Sequence, residues 1–196
     1  MIRKSPVLLR IVGELEAAGQ AIRLRHFPKG HWVIEQGEVL ANVYIIKSGI
    51  VKCTYAEDVD KEYILEFLGE GETLGELEAI CAMPALSGVR AMSDVSLFAL
   101  DKGSFLDLLR KHAALNAAVL ELMALRLANT AARSARQQLN TLEHNLEQLM
   151  GVLEREKLPC SKQELAEYLG ITLRSLNRLL RKRLASLRLQ IRSAAA

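Results

Sequence analysis

Ser161-Lys-Gln-Glu-Leu-Ala-Glu-Tyr-Leu-Gly-Ile-Thr-Leu-Arg-Ser-Leu-Asn-Arg-Leu-Leu-Arg181 spells two short helices around a tight turn. Ser161 with Glu164 three residues on is a capping box, in which each residue satisfies an amide left over at a helix start. Leu165, Ala166 and Leu169 give that helix an apolar face, and Ala166 is small enough for two helices to cross closely. Gly170 can adopt the left-handed conformation that ends a helix. Ile171 plugs the turn and Thr172 caps the second helix. Leu176, Leu179 and Leu180 face a core, which leaves Arg174, Ser175, Arg178 and Arg181 together on the opposite face. A helix of this kind fits the major groove of DNA with its early residues at base edges. Arg174, Ser175 and Arg178 are the candidate base readers, arginine being the commonest reader of guanine. Lys162, Gln163, Thr172, Arg181 and Lys182 are candidates for phosphate contacts.

The charge distribution agrees. From Ser161 onward the chain carries eight basic and two acidic residues, a net +6, on a body that nets −3. A basic end on an acidic body suits a polyanionic partner, since neutralising phosphates releases counterions.

Upstream, Ala113 to about Arg155 is glycine-free until Gly151 and rich in strong helix formers. Leu120, Met123 and Leu127 form one apolar stripe; Leu139, Leu142, Leu146, Leu149 and Leu153 form another. Ala128 to Gln138 between them is small and polar, which predicts a kink or break. The first stripe is expected to dimerise, and the second to return to the C-terminal domain.

From about Ile22 to Leu100 the pattern is one of short β-branched and aromatic runs, such as Val43-Tyr-Ile-Ile46, Tyr63-Ile-Leu-Glu-Phe67 and Val95-Ser-Leu-Phe-Ala-Leu100. Glycine turns at Gly30, Gly37, Gly49, Gly69, Gly71, Gly75 and Gly88 separate them, which predicts a small all-β barrel or sandwich. Residues 50–55 assign no clean buried face. Pro6 to Gly19 has helical apolar spacing at Val7, Leu8, Ile11, Val12 and Leu15, and Asp101 to His112 reads as a short helix.

No apolar run approaches the ~18 residues a membrane span needs. Glu14 and Glu16 soon after the basic start argue against a secretory signal. Cys53, Cys81 and Cys160 make neither a CxxC pair nor a disulfide framework, which fits a reducing cytoplasm. Ordinary buried thiols are the expectation for all three. His26, His31, His112 and His144 lack metal-ligand spacing, so no metal is expected. No nucleophile–base arrangement, P-loop or dinucleotide loop points to catalysis.

Taken together, these segments resemble the cyclic-AMP receptor/FNR (Crp/Fnr) superfamily over residues 20 to 183. Phe27–Glu38 is similar to the family's opening strands and Tyr44–Lys52 to its next hairpin. Gly71-Glu-Thr-Leu-Gly-Glu-Leu77 is similar to its phosphate-binding cassette, and Val89-Arg-Ala91 to the strand that follows. The turn Ala166-Glu-Tyr-Leu-Gly170 is similar to that of YeiL-like regulators. The resemblance implies an α+β chain: a cyclic-nucleotide-binding-like β-roll with flanking helices over 1–112, a dimerisation helix over 113–138, and a helix-turn-helix domain over 139–196. It implies an effector pocket at Leu74, Gly75, Glu76, Leu77, Ser87 and Arg90. It also implies a homodimer on double-stranded, near-palindromic DNA, with RNA polymerase as a further candidate partner.

Three departures qualify this. Family members that bind cyclic nucleotides place Arg-Ser/Thr where Ala85 and Leu86 stand here, and a buried phosphate without its guanidinium is left unpaired. Weak or no cyclic-nucleotide binding is therefore expected, with the effector unidentified. The cysteine-rich N-terminus that holds an iron–sulfur cluster in FNR-type members is missing too, so no cofactor is expected. After Arg183 the glycine that leads into a two-stranded wing is also missing, so a winged helix with a truncated or altered wing is expected. That leaves a second reading open, a ligand-binding or protein-interaction module with a vestigial DNA-binding domain.

Overall fold

A computed structural model of the chain describes residues 2–58 and 61–194, the side chains of 185–194 excepted. It contains two compact units, Ile2–Ala132 and Arg133–Ala196.

The first unit opens with α1 (Pro6–Ala17). Its cap is Ser5, whose hydroxyl accepts from the Leu8 amide, and its first residue is a proline, for which the missing N–H is no loss. Leu8, Ile11, Val12 and Leu15 are buried, while Val7 is exposed. Eight strands follow: β1 (Arg23–Phe27), β2 (Trp32–Ile34), β3 (Asn42–Ser48), β4 (Val51–Asp58), β5 (Lys61–Leu68), β6 (Thr73–Leu74), then α2 (Glu76–Cys81), β7 (Gly88–Ala91) and β8 (Val95–Asp101). They make two four-stranded sheets, ordered β1-β8-β3-β6 and β2-β7-β4-β5, with antiparallel neighbours throughout. Val33, Ile46, Val51, Leu68, Val89 and Leu97 fill the core between them. Next come α3 (Lys102–Lys111), capped by Asp101, and α4 (Ala113–Leu139). Phe105 of α3 and Leu115, Val119 and Leu122 of α4 join α1 in a second core against Val43, Phe98 and Leu100.

The unclear face of residues 50–55 has a structural cause. β4 lies between β7 and β5, and Val51 through Thr54 are all buried. Opposite them the β5 register shifts, Cys53 facing Glu66 and Thr54 facing Ile64, so Leu65 is an extra residue in a bulge.

Gly71 fixes the position of the first residues. Its φ is +79°, and a Cβ there would stand 1.9 Å from the Ser5 carbonyl oxygen. The resulting close approach lets residues 3–5 run along the end of β5: the Ser5 amide donates to the Glu70 carbonyl at 2.9 Å and the Gly69 amide to the Arg3 carbonyl at 2.8 Å. Arg3 is thereby carried to Glu66 and Glu72.

No break interrupts the stretch between Ala128 and Gln138; α4 is one continuous helix to Leu139. Small polar residues there break the apolar stripe, but alanine, arginine and glutamine are strong helix formers and keep the backbone helical. The grouping of Met123 with Leu120 and Leu127 also needs correction. Leu120 and Leu127 are 62% and 74% exposed, whereas Met123 packs on the second core.

The second unit holds the end of α4, then α5 (Leu142–Arg155), α6 (Lys162–Leu169) and α7 (Leu173–Ala194). Leu146, Leu149 and Leu153 are buried as expected; Leu139 and Leu142 of the same stripe are exposed. Arg133 on the last turns of α4 clamps α6, its Nη2 donating to the Tyr168 carbonyl at 2.8 Å and its guanidinium lying 3.9 Å from the Tyr168 ring centre. The wing is replaced by helix: α7 runs on without interruption to Ala194. The side chains of Arg188 and Arg192, counted in the basic end, lie outside the described residues. Among the described residues no helix is long and apolar enough to cross a membrane.

Candidate functional site

The cassette is built on two left-handed residues. Gly75 (φ 83°) caps α2 at its start and Ala82 (φ 54°) at its end. A Cβ on Gly75 would press against Leu40 at 2.8 Å, so β6 and α2 pack directly on the β3 approach. Glu72, just before β6, and Glu76, the first residue of α2, are both buried.

Arg126 of α4 reaches these carboxylates. Its Nε donates to Glu72 Oε2 at 3.1 Å and its Nη2 to the same oxygen at 2.6 Å. Nη2 also reaches the Thr73 carbonyl at 2.7 Å and the Thr73 hydroxyl at 3.3 Å, and Nη1 donates to Glu76 Oε1. Arg3 adds ion pairs to Glu66 and Glu72. Burial pushes the Glu76 carboxyl up, against the pull of Arg126. Burial alone would lower the Arg126 guanidinium, but Glu76 and Glu72 outweigh it and hold it charged. A cluster like this is stable only because each charge is paired, and Arg126 is also hydrogen-bonded to both Glu72 and Glu76.

The six expected pocket residues divide. Glu76 belongs to this cluster, and Gly75 caps α2 directly before it. Leu74 is part of the core between the sheets. Arg90 is scaffold, its Nε donating to the Gly30 carbonyl at 2.7 Å and its guanidinium lying 5.4 Å from the Trp32 ring centre. Leu77 and Ser87 are half-buried, on α2 and just before β7. A cyclic phosphate does not fit the residues present. Ala85 is buried and Leu86 exposed where a guanidinium and hydroxyl would be needed, and the Leu86 amide already donates to the buried Glu78 carboxylate at 3.0 Å.

Sequence reasoning missed Glu72, Arg3 and Arg126. One sign was available: Leu115, Val119, Leu122 and Arg126 continue a single helical stripe, so a charge lies on a face otherwise buried.

Burial pushes the Cys53 thiol far up, with Glu66 adding to it. Cys81 at the end of α2 is exposed, contrary to the expectation of a buried thiol, and Cys160 is half-buried. Maleimide at about pH 8 should therefore alkylate Cys81 in the native protein and reach Cys53 only after denaturation. Peptide mapping reads this directly, and native labelling of Cys53 as fast as Cys81 would contradict it.

The helix-turn-helix is assembled from the expected local bonds. Ser161 and Glu164 exchange both capping-box bonds, at 2.9 and 3.2 Å. Gly170 sits at φ 66°. The Ser175 amide donates to the Thr172 hydroxyl at 3.2 Å, capping α7. Leu176 and Leu179 are buried, Leu180 is half-buried, and Arg174, Arg178 and Arg181 are exposed. The remaining candidates differ in freedom. Ser175 is half-buried and its hydroxyl accepts from Thr172 at 3.1 Å. Gln163 donates to Glu167 along its own helix, and Lys182 pairs with Glu143 of α5 at 3.0 Å. Lys162 is exposed at the start of α6.

Paired antiparallel sheets with a cassette, followed by a long helix and a helix-turn-helix, define a β-roll joined to a helical unit. Residues 24–112 match the family model of the cyclic nucleotide-binding domain. A CRP-like cAMP-activated global transcriptional regulator of Mycobacterium tuberculosis is 28% identical over 104 residues, 53% of this chain and 46% of its own length. An uncharacterized NTE family protein of that organism is 28% identical over 124 residues, 63% of this chain and 21% of its own. The chain thus spans less than half the length of these curated relatives. The solved structure of the c-di-GMP responsive global regulator CLP of Xanthomonas campestris matches with a TM-score of 0.77 at 22% identity, covering 89% of this chain and 92% of that one. Residues 24–112 are thus similar to the cyclic nucleotide-binding domain, and the chain as a whole has the fold seen in solved Crp/Fnr regulators.

Proposed function

We propose that the chain is a dimeric, DNA-binding transcription regulator of the Crp/Fnr type, controlled by an effector other than cyclic AMP. The observation that carries this is the recognition face: Arg174, Arg178 and Arg181 stand exposed on a helix whose N-terminal cap, preceding turn and buried leucines are in place. Dimerisation would use the outer face of α4, where Ala117, Leu120, Ala124, Leu127 and Ala131 are exposed at alternating spacings of four and three. Two-fold symmetry then calls for a near-palindromic operator with half-sites about 34 Å apart.

Selection from a random duplex library, followed by anisotropy on the selected site, tests this. The Arg174→Ala/Arg178→Ala variant is expected to lose about 100-fold or more in affinity for the selected site, at ~1–3 kcal/mol for each lost base contact. It should keep its weak, salt-sensitive non-specific binding. Equal binding of all sequences by the unaltered protein would end the proposal. The helix that replaces the wing favours one second reading, a module whose DNA-binding unit is vestigial. Undetectable DNA binding at low salt would select it.

A further inference from the structure

The cassette is filled by the chain itself. All three nitrogens of Arg126 are used, on acceptors from three different residues: Nε and Nη2 on Glu72, Nη2 again on the carbonyl and hydroxyl of Thr73, and Nη1 on Glu76. Both carboxylates have side chains 4% exposed, and Arg126 itself is 18% exposed. Acceptors spread over all three nitrogens match the planar fork of a guanidinium and not the compact point charge of an ammonium. The acceptors come from the β-roll and the donor from α4, the helix whose outer face is the proposed dimer seam.

We propose that the Glu72–Thr73–Glu76 cassette is a guanidinium-binding site whose resident ligand is the Arg126 side chain. The regulator thus carries its ligand within its own sequence, and an external molecule enters only by displacing that arginine. Such a molecule must bring a guanidinium or amidinium of its own for the two carboxylates. The assignment of ligand class stands on the cassette geometry; only its regulatory meaning rests on the DNA-binding reading.

Chemical rescue of the full-length chain tests the site. Arg126→Ala leaves Glu76 buried without its cation and Glu72 with only Arg3 at 3.8 Å, and opens the volume of the side chain. Its melting temperature is expected to fall by several degrees and to recover saturably with millimolar ethylguanidinium. Ethylammonium at equal ionic strength should not restore it, and the unaltered protein should not respond to either. If the alanine variant does not fold unaided, the same two compounds are compared by refolding yield. Arg126→Met with Glu72→Gln and Glu76→Gln removes the site's charges together, and this variant should fold and ignore ethylguanidinium. Equal rescue by both cations, rescue of the triple variant, or no loss of stability in Arg126→Ala would each overturn the proposal. None of these readouts involves DNA. Failure of the regulator reading would show separately, as unselective DNA binding by the unaltered chain.

Discussion

Replacing Glu72 by alanine is expected to cost the Ile2–Ala132 unit about 3 kcal/mol, lowering its Tm by roughly 10 °C. The size of the effect follows from what remains behind. Glu72 accepts two bonds from Arg126 and faces Arg3 at 3.8 Å. Its removal leaves two largely buried guanidinia short of one carboxylate, and removing one partner of a buried ion pair typically costs about 3–5 kcal/mol. Glu76 and Glu66 still hold one bond each to Arg126 and Arg3, which places the loss at the lower end. Glu72→Gln separates charge from packing: it keeps the volume and an acceptor oxygen, and should lose less than half as much. Thermal unfolding followed by circular dichroism measures both. A Glu72→Ala protein as stable as the unaltered chain would mean that the cluster contributes nothing to the fold.

Leu176→Ala is expected to unfold the helical unit while leaving the β-roll intact. Leu176 is fully buried at the centre of the helix-turn-helix. Truncating such a leucine typically costs about 2.7–5 kcal/mol. The Arg133–Ala196 unit is small, and a single core of that size rarely supplies more than about 3–5 kcal/mol. The substitution therefore removes most of what holds the unit together. Native-state hydrogen exchange should show residues 162–180 losing protection while residues 43–48 and 95–100 keep theirs. Loss of protection in both units together would contradict their independence.

These two sites also show what a sequence displays and what it hides. The helix-turn-helix was legible because its determinants are local. Ser161 and Glu164, Gly170, and Thr172 and Ser175 act within three residues of one another, and the same bonds stand in the structure. The β-roll was legible as a class, from glycine turns and β-branched runs, but the bulge at Leu65 hid its inner face. The helix α2 has six residues, too few for a period to show, and depends on left-handed residues at both ends. The cassette cluster was hidden by distance along the chain. Arg126 is 54 residues from Glu72 and 50 from Glu76. Nothing local links them, and only the folding of α4 onto the roll brings them together. The continuation of α7 past Arg183 was half legible: the missing glycine excluded the usual turn into a wing but did not say what replaces it.

The buried ion cluster gives the cassette an unusual response to temperature. The hydration of charged groups becomes less favourable on heating, so the penalty for keeping Glu72, Glu76 and Arg126 out of water shrinks as the temperature rises. Apolar burial also weakens on cooling. The contact between α4 and the roll, which combines the cluster with the Leu115–Val119–Leu122 face, is therefore weakened twice over in the cold. Chilling is therefore expected to loosen the grip on α4, which hydrogen exchange of residues 115–126 at low temperature would read.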